Sequence, residues 1–214
     1  VVKNAKVVSS LGMYDGHILI KQGKILAVVT ELDYEPESII DAEGLHVLPG
    51  MVDDHVHMMD PGHTEREDFT TGTEASARGG ATTVIEHHRT IPPVFTADIL
   101  REKSEYLKEK SVVDFAQLGG LAPDNINELQ PMWEAGALGF KGFLVELHGA
   151  PMLTEGVLLD IMKMVKSFNG TCLYHCESDT ICRRGKEKID EEGQKDYSSM
   201  LNWRSMEAEY MASM

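Results

Sequence analysis

The chain has 214 residues, and 35 Asp and Glu against 20 Lys and Arg give it a formal net charge of −15. A surface of that sign repels polyphosphates, and no basic cluster offsets it locally, so neither nucleic acid nor an acidic membrane is expected as a partner. The length suits one large domain or a domain with a smaller companion, and no apolar run is long enough to span a bilayer.

Residues 1–50 read as short strands joined by tight turns. VVKNAKVVSS, GHILIKQGKILAVV and GLHVLPG are rich in Val, Ile and Leu, with punctuation expected at Asp15-Gly16, Gly23 and Glu43-Gly44. This is a small all-β unit with too few strands to be comfortable alone. From Met51 the rhythm changes to apolar runs alternating with helical stretches, the sign of βαβ units and a parallel sheet. Strands are expected at MVDDHVHM, TTVIEHH, VVDFAQLGG, GALGFKGFLV and GTCLYHCES, and helices at FTTGTEASARGG, TADILREKSEYLKEK, NINELQPMWEAG and TEGVLLDIMKMVKSF. Thr154 reads as the start of the last of these helices and Asn169-Gly170 as its end. Arg183–Asp196 is charged and reads as a solvated loop or exposed helix.

A closed (β/α)₈ TIM barrel needs eight strands, and five of them fit residues 51–214. An open doubly wound sheet is the competitor, but no G-x-G-x-x-G follows the first strand. Both ends read as interrupted, with Val1 inside a strand pattern and EAEYMASM inside a helix pattern, so a truncated chain is expected. Cys172, Cys176 and Cys182 form an odd set in one short window, without a disulfide framework. With no secretory leader in sight, a reduced, cytoplasmic protein is expected.

The chemistry begins at VLPGMVDDHVHMMDPG. Side chains alternate along a strand, so His55 and His57 share one face. At the C-terminal end of a first barrel strand that face is the barrel mouth. Two imidazoles there, near Asp53, Asp54 and Asp60, suit a divalent transition metal, zinc foremost, whereas an isolated H-x-H more often belongs to solvated histidines. Lys141 lies in the apolar run GFKGFLVE, where an unpaired ammonium is costly, so it is either paired with an acid or stripped of its charge. HCES brings His175 to the last strand, with Leu173 and Glu177 on its face. Three strands thus each offer a candidate ligand. A zinc knuckle of Cys172, His175 and Cys176 is the rival, but strand alternation puts His175 opposite both cysteines.

These segments resemble the amidohydrolase superfamily, in particular its cyclic amidases: allantoinase, hydantoinase or dihydropyrimidinase, and dihydroorotase. LPGMVDDHVHMMDPGHTEREDFTTGTEASARGGATTVIE is similar to the family's first strand and following helix, GGLAPDNINELQPMWEAGALGFKGFLVE to its third and fourth strands, and LYHCES to its fifth. The resemblance implies an N-terminal part of a small β-sandwich domain at 1–50 and a metal-dependent barrel domain at 51–214. It implies that His55 and His57 hold one metal ion, that His175 holds a second, and that Lys141 is carbamylated by CO₂ and bridges the two. It implies hydrolysis of a cyclic amide by a hydroxide bridging those ions, and a homo-oligomer, dimer or tetramer. The family's further histidine from strand six and aspartate from strand eight are not found, so the 214-residue chain itself is expected to be a poor catalyst or inactive.

Dihydroorotases carry an arginine two residues after the second histidine to clamp a carboxylate. Met59 stands there and cannot form that pair. Met59 and His88 are therefore candidate substrate contacts, within a Glu86-His87-His88-Arg89 stretch expected near the mouth. His63, Glu65 and Glu67 read as charges that order a loop. The expected substrate is a cyclic ureide or imide of the allantoin, hydantoin or dihydropyrimidine type. The alternatives are a non-catalytic scaffold of the same fold, or a dihydroorotase.

Overall fold

A computed structural model describes residues 1–33, 35–147 and 150–214. It divides into two compact units, Val1–Met51 and Val52–Met214.

In the first unit β1 (Val2–Ser9) pairs antiparallel with β2 (Gly12–Lys21), and β2 with β3 (Lys24–Val29). Two short strands, β4 (Ile40–Asp41) and β5 (His46–Val47), run parallel to β1. Ala5, Val7, Ile18 and Ala42 form the small core. Asp15-Gly16 is not the turn its composition predicts. β2 runs straight through it, and the chain reverses at Ser10-Leu11 instead, where Leu11 N–H donates to Ser9 Oγ at 3.2 Å. Gly16 has a different task. A Cβ there would stand 3.0 Å from the Val29 carbonyl oxygen, so the glycine permits close approach of β3.

The second unit is a curled parallel sheet in the order β10-β9-β8-β7-β6, a half-barrel with helices on its outer side. Its strands are β6 (Met51–Val56), β7 (Ala81–Glu86), β8 (Asp114–Gly120), β9 (Gly139–Phe143) and β10 (Cys172–His175). Between them run α1 (Phe69–Gly79), α2 (Ala97–Lys108), α3 (Leu129–Glu134) and α4 (Glu155–Ser167). All five strands and four helices lie where the periodicity predicts. α3 is shortened by a 3₁₀ turn at Ile126–Glu128. The charged stretch is helical, forming most of α5 (Asp179–Glu192), and is followed by α6 (Ser198–Trp203) and α7 (Met206–Ser213). α4 ends as expected, although Asn169 rather than Gly170 takes the left-handed conformation, with φ +57°.

Alternation along each strand sorts the layers. Phe140, Leu121, Leu129, Met132, Ile161 and Val165 fill the space between sheet and helices. A Phe140→Ala change there would cost about 3–5 kcal/mol. Met58, Phe69, Val84 and Leu107 form a second cluster beneath α1 and α2. The opposite parity belongs to the concave side: Lys141 pairs in register with Leu173, and Phe143 with His175.

Candidate metal centre

β6 and β7 end side by side, the backbone N–H of His87 donating to the Val56 carbonyl at 3.1 Å. This brings three imidazoles together. His55 Nε2 lies 3.2 Å from His57 Nε2. The His87 ring stacks on His55 with centroids 4.0 Å apart and is tilted against His57 at 4.5 Å. One nitrogen from each of the three rings lies within 4.8 Å of the others. His55 and His57 are exposed, while His87 is fully buried and both its ring nitrogens lack a hydrogen-bond partner among the described residues.

Two facing imidazole nitrogens must share a proton or a cation. Tetrahedral zinc with Zn–N near 2.0–2.1 Å sets its nitrogen ligands about 3.3 Å apart, close to the separation found here. Burial, then the neighbouring His55 and the cations Arg89, Lys141 and Lys103, push His57 down to about 4. Burial followed by His55 and His57 takes His87 to about 2, and burial with Lys103 takes His88 to about 3. His57 and His87 of the cluster, and His88 beside them in sequence, are therefore neutral at physiological pH, with lone pairs free for a metal, and burial lowers His55 in the same direction.

Lys141 is buried on β9. Its Nζ stands 5.6 Å from the centroid of the Phe143 ring, and no carboxylate of the described residues lies within ion-pair distance. Burial lowers its pKa. His175, on β10, lies outside the three-ring cluster. Its Nε2 is 2.6 Å from Glu177 Oε2, and Glu177 is also gripped by Arg204. Cys172, Cys176 and Cys182 are free thiols, and none joins the imidazole cluster.

The Glu86–Arg89 stretch divides, Glu86 packing against α2 and His88 and Arg89 lining a pocket. Glu86 faces the helix layer and is not at the mouth, a departure from the sequence expectation. Its carboxylate accepts from Met58 N–H at 3.2 Å and lies 3.4 Å from Lys103 Nζ on α2, which also donates to the His87 carbonyl at 2.9 Å. Val84, two residues earlier, already points into that layer, so Glu86 has to follow. Burial raises the Glu86 pKa and lowers that of Lys103, while their mutual attraction opposes both shifts. His88 and Met59 line a pocket of about 180 Å³ together with His63, Arg89, Ile91 and Phe95. Met59 adopts φ +58°. Gly120 makes room for this wall, since a Cβ there would meet Phe95 and the His88 ring inside 2.7 Å.

Asp60 turns away from the imidazoles. It accepts from Phe69 N–H at 2.9 Å, Tyr106 OH at 2.7 Å and Lys110 Nζ at 2.9 Å, tying the loop after β6 to α1 and α2. His63 and Glu65 pair within the loop at 3.2 Å, and Glu67 accepts from Thr71 Oγ1 at 2.6 Å. Sequence reasoning placed His87 near the mouth without giving it a role. Its signal was the histidine pair directly after the second strand, where alternation stops deciding which ring turns inward.

Residues 46–200 match the model of the amidohydrolase family. The chain belongs to that family. It is 36% identical over 203 residues to an L-hydantoinase of Paenarthrobacter aurescens, covering 93% of this chain and 44% of that one. An allantoinase of Bacillus velezensis is 37% identical over 215 residues, covering 98% and 47%. Among solved structures, an L-hydantoinase (dihydropyrimidinase) from Arthrobacter aurescens superposes with TM-score 0.95 at 35% identity, covering 99% of this chain and 48% of that one. A D-hydantoinase gives 0.83 at 26% identity, covering 99% and 47%. The chain thus spans about half the length of the curated relatives it matches. The half-barrel is part of the (β/α)₈ barrel of this family, and its imidazoles lie at the C-terminal ends of the strands.

Proposed function

We propose that the protein is a metal-dependent hydrolase that opens a ring C–N bond in a cyclic ureide or imide. The observation that carries this reading is the gathering of three imidazoles at the ends of β6 and β7 in a half-barrel that also buries a lysine without an acidic partner among the described residues. Relatives named allantoinase and L-hydantoinase support the substrate class.

We assign His55, His57, His175 and Lys141 as the groups that would hold two divalent ions, zinc foremost. The spacing of His55 and His57 and the neutral ring of His57 fit such ions. Lys141 would take part as a carbamate. Its neutral amine nitrogen bonds to the carbon of CO₂ and sheds one proton, so a cation costly to bury becomes an anion suited to a place between two cations. Burial favours the neutral amine that this addition requires. Glu177, held by Arg204, fixes the ring of His175 through Nε2 and leaves Nδ1 as its available donor. Bound divalent ions supply Lewis acidity at the amide carbonyl and lower the pKa of water.

The pocket of about 180 Å³ lined by Met59 and His88, neighbours in sequence of the cluster, would admit a small ring, with Arg89 available to its polar atoms and Ile91 and Phe95 to its faces. Met59 offers no guanidinium, which disfavours a dihydroorotase. The free cysteines support a reducing, cytoplasmic setting, and among the described residues no helix is long and apolar enough to cross a membrane. The resemblance that carries the metal assignments carries with it a dimer or tetramer.

Zinc analysis of the 214-residue chain, with ring-opening assays on allantoin, hydantoin and dihydrouracil by the protein at its full length, tests the reading. Stoichiometric zinc and turnover of one of these rings is the expected result. A protein that takes up no zinc, or one that takes it up and leaves a broad panel of cyclic ureides and imides untouched, overturns it.

A further inference from the structure

Both nitrogens of His87 are buried and unpartnered among the described residues. A native protein rarely leaves a buried polar atom so, because each one costs about 1–3 kcal/mol. The ring is not misplaced for want of room. It is packed under His55 and against His57, and one of its nitrogens is within 4.8 Å of a nitrogen on each. Its carbonyl is clamped by Lys103 at 2.9 Å and its N–H by Val56 at 3.1 Å, so the backbone on both sides is pinned. The fixed ring is His87, and the adjustable ones are the exposed His55 and His57.

We infer that His87 is a third imidazole donor, and that His55, His57 and His87 together hold one divalent transition-metal ion without help from Lys141 or His175. Three imidazoles with one open position make a complete set for tetrahedral zinc. The stacked arrangement directs the lone pairs of His55 and His87 side by side rather than at one point. Convergence therefore requires the exposed His55 ring to turn, which an exposed side chain does on a timescale of picoseconds to nanoseconds. The inference rests on the metal reading above and adds to it a position that fills first and survives loss of the lysine.

Zinc titrations against a chromophoric chelator and X-ray absorption at one equivalent of zinc test it on the Lys141→Ala chain. One zinc per chain is expected, with outer-shell scattering from three imidazoles. His87→Phe in the same background should weaken that zinc by at least about tenfold. Two imidazoles in the absorption spectrum, or no zinc retained by Lys141→Ala when the unaltered chain binds it, would overturn the inference alone. The absorption experiment keeps His87 in place, so it decides even if His87→Phe does not fold. An unaltered chain that binds no zinc brings down the metal reading itself.

Discussion

At the residue scale the most exacting group is Lys141. A charged amine at 5% exposure, with no carboxylate partner among the described residues, is stable only if its charge is removed or matched. Lys141→Ala is expected to abolish ring opening in the full-length protein. Acetate or propionate should restore part of it by occupying the place of the carbamate, and undiminished turnover in the variant would end the carbamate assignment. Met59 poses a smaller problem, because an unbranched but bulky side chain sits at φ +58°, a region that asparagine tolerates better. Met59→Asn should leave thermal stability unchanged or raise it by up to about 1 kcal/mol in a denaturant titration. A clear loss would show that Met59 contributes more through packing than it costs in backbone strain.

At the element scale, α2 holds the ends of β6 and β7 in place. Lys103 reaches from the helix to Glu86 and to the His87 carbonyl, and Glu86 in turn takes the Met58 N–H. Lys103→Met leaves a carboxylate buried without its cation and should destabilise the fold by about 3–5 kcal/mol. Adding Glu86→Gln should recover part of that loss, and additive losses in the double variant would refute the coupling. Asp60 ties α1 and α2 to the loop after β6. Burial pushes its carboxyl up, but the hydrogen bonds from Phe69, Tyr106 and Lys110 outweigh it and hold the pKa below the ordinary value. Lys110 is the cation that faces it directly, and Glu86 and Lys103 feel its charge from β7 and α2. A group whose folded pKa is depressed stabilises the fold above its unfolded value, about 3.9 for aspartate, and that contribution fades as pH falls through the lower folded value. Asp60→Asn should therefore flatten the acid limb of a stability-against-pH curve below about pH 4, while lowering stability at pH 7.

At the scale of the whole chain, the proposed metal binding would be linked to folding. Zinc held as proposed, by residues from β6 and β7, would bind only the folded form, so a free concentration 100 times the dissociation constant should stabilise by about 2.7 kcal/mol. A thermal melt with and without chelator measures this. An unmoved transition in a chain shown to bind zinc would mean that the ligands are already gathered in the unfolded ensemble.

The order of strands and helices from Met51 onward was legible in the sequence because a period of two alternating with a helical period leaves few other solutions. The same holds for His55 and His57, whose shared face follows from alternation alone. Alternation also explains why Glu86 points at α2, but only once Val84 is seen among the helices. Asp15-Gly16 misled because a glycine needed for a close cross-strand approach has the same composition as one needed for a turn. The sequence put His87 near the mouth but not in the cluster. It lies just past the end of β7, where pleating no longer sets direction, and its place under His55 depends on a hydrogen bond from its own N–H to Val56 and on a lysine from a helix behind the sheet. Local periodicity fixes what repeats along one segment. Which ring closes the cluster depends on contacts between segments far apart in the chain, and only folding brings those together.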